Sequence, residues 1–177
     1  VGTQALNSKS PELRAVAAEE LSEAGVGGSA VDNYLLATLN NSSDTVELQR
    51  AIKMIPRLNS KKYIIEKLVK ELIDGRIAPE IQLEVLEEAK SIARDYPEIR
   101  MLMDNYNNYI NKQSVMKRYD VAIKGGNAEK GKGIFFSHVQ AQCSKCHALK
   151  QLDKQIGPSL EGIAKRHSRE FLLQSIV

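Results

Sequence analysis

A chain of 177 residues has room for one medium domain or two small ones, and aromatic residues make up only 5% of it, with no Trp. A formal charge of +3 is too small to mark a nucleic-acid binder, and no run of about 20 apolar residues exists to span a membrane. The charge is unevenly spread: residues 1–112 hold 14 Lys/Arg against 17 Asp/Glu, net −3, and residues 113–177 hold 11 against 5, net +6.

In chain order, Ser10-Pro11 offers a capping residue followed by a proline at the first helical position, and Gly25 closes that helix. Its apolar stripe is Leu13, Val16, Ala17, Leu21 and Ala24. Ser29 can cap a second helix carrying Val31, Leu35, Leu36 and Leu39. Asp44 with Glu47 three residues on, an Asp-led relative of the capping box, opens a third with Leu48, Ala51, Ile52 and Ile55. A fourth runs from Ser60 through Ile64, Ile65, Leu68, Val69, Leu72 and Ile73 to Gly75. Pro79 starts a fifth, with Ile81, Val85, Ala89 and Ile92. Pro97 starts a sixth, with Ile99, Leu102, Met103, Tyr106 and Ile110. No strand-like alternation competes, so the class is all-α.

Pro11-Glu-Leu-Arg, Val46-Glu-Leu-Gln and Pro79-Glu-Ile-Gln open comparable helices at offsets of 35 and 33 residues. That is the length of a two-helix repeat in which each unit buries a face on the next. Residues 1–112 resemble a HEAT-like α-solenoid of three helix pairs, and a plain helical bundle fits the same pattern. The stripes read as core, with no functional role for any residue before 113. Residues 113–126 form a junction that ends at Gly125-Gly126. Asn127 then caps a helix through "AEKGKGIFFSH".

The only two cysteines stand in "CSKCH", Cys143 and Cys146 with His147 directly after. At i and i+3 both thiols lie on one face of a helical turn. Each can add to one vinyl group of a haem, while the adjacent imidazole binds iron axially. The pattern therefore reads as a c-type haem attachment site. Zinc asks for four converging ligands, usually in two pairs, and only one pair exists. A redox dithiol asks for a strand–turn–helix setting that is missing here. The alternative function is a helical scaffold or interaction module whose C-x-x-C-H binds zinc or no cofactor.

The flanks, "GNAEKGKGIFFSH", "CSKCH" and "GPSL", resemble a class I cytochrome c domain over residues 126–177. The resemblance implies that Gly131 and Phe135 form the helix face that meets a C-terminal helix. It implies that the Pro158 carbonyl accepts the N–H of His147 and that Leu160 packs on the ring, behind Gly157. It implies His147 as the axial iron ligand and covalent haem c as the cofactor, absent when the chain is made without c-type maturation. The turn "FSHVQAQ" before Cys143 is longer than the family's. The domain also resembles the C-terminal haem-binding type of large exported planctomycete- and verrucomicrobia-type proteins, in which helical repeats precede it.

On that resemblance, residues 127–177 form a C-terminally truncated haem domain. Met54, Met101, Met103 and Met116 all precede Cys143, so the distal iron ligand is expected to be absent from this chain. The chain begins at Val1 and reads as a piece of a longer precursor, which leaves export undecided by the N-terminus. The resemblance implies electron transfer, without catalysis of its own, between a catalytic domain of the parent chain, of dehydrogenase type, and an acidic redox partner in the periplasm or another exported compartment. Lys145, Lys150 and Lys154 read as a solvated basic face that can steer such a partner. His138 reads as a surface residue, and His167 as flanking a last helix capped by Ser168.

Overall fold

The computed structural model describes residues 2–150 and 156–177. Among them every regular element is helical, so the protein is all-α. The chain divides into two compact units, residues 1–113 and 114–177.

The first unit holds α1 (Gly2–Ala5), α2 (Pro11–Glu23), α3 (Gly28–Asn41), α4 (Thr45–Met54), α5 (Lys61–Ile73), α6 (Gln82–Ile92) and α7 (Pro97–Ile110). Ser10 caps α2 by accepting the Leu13 N–H, and Asp44 caps α4 by accepting that of Glu47. Gly25 and Gly75, both at positive φ, end α2 and α5. In each case the next residue's N–H reaches back to the carbonyl of Leu21 or Glu71, the bond that closes a left-handed helix terminus. α4 packs on α2, α3 and α6, and α5 packs on α6 and α7. Leu35, Ile52, Ile55, Ile65, Val69, Val85 and Ile99 are fully buried between them. Each such side chain contributes about 1.5–3 kcal/mol relative to exposure.

Three expectations are corrected here. Ser29 is not the cap of α3: the chain enters that helix through Gly27 at φ 94°, with Ser29 already inside the first turn. A Cβ on Gly27 would lie 2.7 Å from Val31 Cγ2, so glycine is required there for space as well as for φ. Leu13 and Val16 of α2 are exposed, and the helix instead buries Ala15 and Ala18, whose small side chains allow close approach of its neighbours. Pro79 opens a short 3-10 turn, Pro79–Ile81, before α6 begins.

Two acidic side chains, those of Glu47 and Glu84, are buried in this unit. Glu47 is 1% exposed, and its two carboxylate oxygens accept from Arg14 Nε (2.7 Å), Arg14 Nη2 (2.8 Å), Tyr34 Oη (3.1 Å) and Ser42 Oγ (2.6 Å). The Arg14–Glu47 pair joins α2 to α4. An open cleft of about 540 Å³ lies over it.

The second unit holds α8 (Val115–Tyr119), α9 (Val121–Lys124), α10 (Ala128–Ser137), α11 (Ile163–Arg166) and α12 (Arg169–Gln174). Within the stretch expected to form a junction, α8 and α9 are short helices of this unit against which α12 packs. Asn127 caps α10 through the Lys130 N–H, and Ser168 caps α12 through that of Phe171. None of its described residues is buried. Ile134, Phe136, Val139, Leu149, Ile156, Phe171 and Ile176 are exposed, Ile156 by 88%. The unit has a hydrogen-bonded frame without a core of its own among the described residues.

Candidate haem-attachment site

After α10 the chain turns through His138–Gln142 and enters a 3-10 turn, Cys143–Lys145. Gln142 adopts φ 46°, ψ 32°, a left-handed conformation uncommon for a residue with a side chain. The Cys143 carbonyl then accepts the N–H groups of Cys146 (3.2 Å) and His147 (2.9 Å). These bonds fix Cys143, Cys146 and His147 on one tight turn. Both thiols are free, Cys143 half-buried and Cys146 exposed.

The segment 157–160 lies against this turn. The Gly157 N–H donates to the Cys146 carbonyl at 2.7 Å, and the Leu160 N–H to that of Ala148 at 2.8 Å. His147 Nδ1 stands 2.9 Å from the Pro158 carbonyl oxygen. A carbonyl only accepts, so Nδ1 carries the proton and the Nε2 lone pair is left available to a metal. Such a bond fixes both the tautomer and the ring orientation of a metal-binding histidine. A Cβ on Gly157 would fall 2.8 Å from His147 Cε1 and 3.0 Å from the Cys146 carbonyl oxygen, so the ring lies in a cradle only glycine leaves open.

Cys143, Cys146, His147, Gly157 and Pro158 are therefore brought together, and half-buried Leu160 is tied in through its backbone. Gly131 and Phe135 are not: a Cβ on Gly131 would meet nothing within 4 Å, and the Phe135 ring makes an edge-to-face contact with Phe136 at 5.0 Å. Lys145 and Lys150 are exposed, and Lys154 lies outside the described residues. His167 stacks on Phe171 at 4.3 Å. Among the described residues no three His, Cys, Asp or Glu converge as a metal-holding group.

Two residues escaped sequence reasoning. Gln142 is not a usual turn residue, and nothing in its neighbours signals a positive φ. His138 Nδ1 accepts the Ala141 N–H at 3.1 Å, a local cap for which histidine carries no recognised pattern.

A segment of the chain is similar to a curated protein of Synechocystis sp. described as cytochrome c-553-like. The two are 40% identical over 57 residues, which is 32% of this chain and 49% of that protein. The chain thus spans about half the length of that relative. No family model matches the chain, and no solved structure matches it. The similarity supports a cytochrome c-like segment within an all-α chain.

The residues present fit a c-type haem. Two thiols and one imidazole with a free Nε2 stand on a single turn. The apolar side chains of the same unit lie open, where a large flat apolar group can be covered.

Proposed function

We propose that residues 114–177 carry a covalent haem c and that the chain transfers electrons. The observation that carries this reading is the His147–Pro158 bond beside two free thiols, in a unit whose described residues include no buried one. Cys143 and Cys146 would hold the group, each thiol adding its S–H across one vinyl group without net oxidation or reduction. His147 would offer Nε2 to the iron while the Pro158 carbonyl holds Nδ1–H, and by the resemblance Leu160 would pack on the haem. When bound, haem iron supplies one-electron oxidation and reduction. The chain's own residues would hold the group, with no substrate chemistry.

Finer parts of the reading follow from the resemblance. Thioether formation requires reduced thiols and exported haem, so the chain functions in the periplasm or another exported compartment. It serves a catalytic domain elsewhere in the parent protein and an acidic redox partner. The net charge of +6 over residues 113–177 supports that choice of partner. Residues 1–112 act as a HEAT-like scaffold, which the 35- and 33-residue offsets support.

The test is expression of the full chain with c-type maturation, followed by a reduced absorption spectrum and a denaturing gel stained for haem. A c-type spectrum and gel-stable haem are expected, and both should be lost in the Cys143→Ala/Cys146→Ala chain. A colourless protein, or gel-stable haem that survives the double replacement, contradicts the proposal.

A further inference from the structure

His138 is exposed and stands between the end of α10 and the thiol turn. Its backbone N–H donates to the Ile134 carbonyl at 3.0 Å, and its own carbonyl accepts the Gln142 N–H at 3.1 Å. Its side chain adds a third bond, Nδ1 accepting the Ala141 N–H at 3.1 Å. Nδ1 can accept only in the neutral ring that carries its proton on Nε2. The two histidines flanking the cysteines are thus held in opposite tautomers. His147 has Nε2 free for a metal, whereas His138 has its lone pair turned into the backbone. Gln142 Nε2 donates to the Val139 carbonyl at 2.8 Å and closes the same turn.

The thiols share the turn closed on the Cys143 carbonyl but are braced from different sides. Cys143 follows directly on the His138–Gln142 turn. Cys146 is gripped from the other side, by the Gly157 N–H on its carbonyl at 2.7 Å. A fault in the first support should therefore be felt at Cys143 before Cys146.

We propose that His138 is a positioning residue for the Cys143 thiol: its ring caps the turn that delivers Cys143, and it is not an iron ligand. As a statement about haem loading, this rests on the haem reading above. Its capping part does not. Loss of the cap leaves the Ala141 N–H to water and lets the turn sample other conformations, which lowers the share of chains in which Cys143 bonds.

The test compares the full chain with His138→Leu, which removes the acceptor, and His138→Asn, whose amide oxygen can accept the same N–H. After expression with c-type maturation, peptide mass spectrometry locates haem on Cys143, on Cys146 or on both. His138→Leu should shift attachment several-fold towards chains bonded through Cys146 alone, and His138→Asn should restore double attachment. Double attachment unchanged in His138→Leu, loss shared equally by both cysteines, or no rescue by His138→Asn overturns the proposal. A second measurement needs no haem: amide exchange at Ala141 in the haem-free chain. It should run about three- to tenfold faster in His138→Leu, the effect of one net hydrogen bond. Equal exchange overturns the cap. If the wild-type chain takes no covalent haem, the haem reading fails, and amide exchange still decides the role of His138 in the turn.

Discussion

A methyl group on Gly157 would come within 2.9 Å of His147 Nδ1, the atom that bonds the Pro158 carbonyl. Gly157→Ala should therefore push the ring off Pro158, an overpacking strain of about 1–3 kcal/mol. The nitrogen chemical shifts of His147 in the haem-free chain report it: a protonated Nδ1 in wild type, a mixture of tautomers in the variant. In the first unit the telling residues are Arg14, Tyr34 and Glu47. Arg14→Ala leaves a carboxylate with no exposed side-chain surface unpaired, a loss of about 3–5 kcal/mol measurable by denaturant unfolding. Burial alone would raise the Glu47 carboxyl, but hydrogen bonds from Arg14, Ser42 and Tyr34 outweigh it and hold it below its ordinary 4.5. Burial pushes the Tyr34 hydroxyl up to about 12 from 10.0. Glu47 thus supports the fold above pH 4.5 and loses that support as pH falls through its lowered value. Tyr34 supports it fully below pH 10 and loses that support as pH rises towards about 12. Thermal melts followed by helical dichroism should show both limbs, and Tyr34→Phe should flatten the alkaline one.

Among the elements, α10 combines a good cap with two interior glycines, Gly131 and Gly133. A Cβ on either would meet nothing within 4 Å. Gly131→Ala should accordingly strengthen this helix by about 0.5–1 kcal/mol. Asn127→Ala should weaken it by about 0.5–2 kcal/mol through the lost Lys130 N–H bond. Helical dichroism of the two variants, read against wild type, separates them by sign. Caps of this kind were legible in the sequence: Ser10, Asp44, Asn127 and Ser168 each bond the N–H three residues on. Gly27 was not, because a left-handed entry into a helix is set by the approach of Val31, a contact between residues that the pattern alone does not order. The stripe of α2 misled for a related reason. Alanine counts little in an apolar period, yet Ala15 and Ala18 are what lets α2 sit close to its neighbours.

At the scale of the molecule, the buried residues all belong to residues 1–113, while the described part of 114–177 has none. The segment 1–113 expressed alone should then show a cooperative melt by helical dichroism, and the haem-free full chain should melt at a similar temperature. A non-cooperative melt of the segment would count against a self-sufficient first unit. The change of charge sign near residue 113 made a division of the chain readable from composition. Cys143, Cys146 and His147 stand together in one short stretch of sequence, and their backbone bonds hold them on one turn. Pro158, 11 residues beyond His147, entered only through family resemblance. The exposure of Ile134, Phe136 and Ile156 among the described residues could not be read at all, since it depends on what folds over them. The central claim is that this second unit is completed by a haem bonded to both cysteines. The most direct measurement is the intact mass of the denatured chain after expression with c-type maturation. A gain of one haem mass, with neither Cys143 nor Cys146 open to alkylation, is the expected result. An unchanged mass with both thiols still alkylated would contradict it.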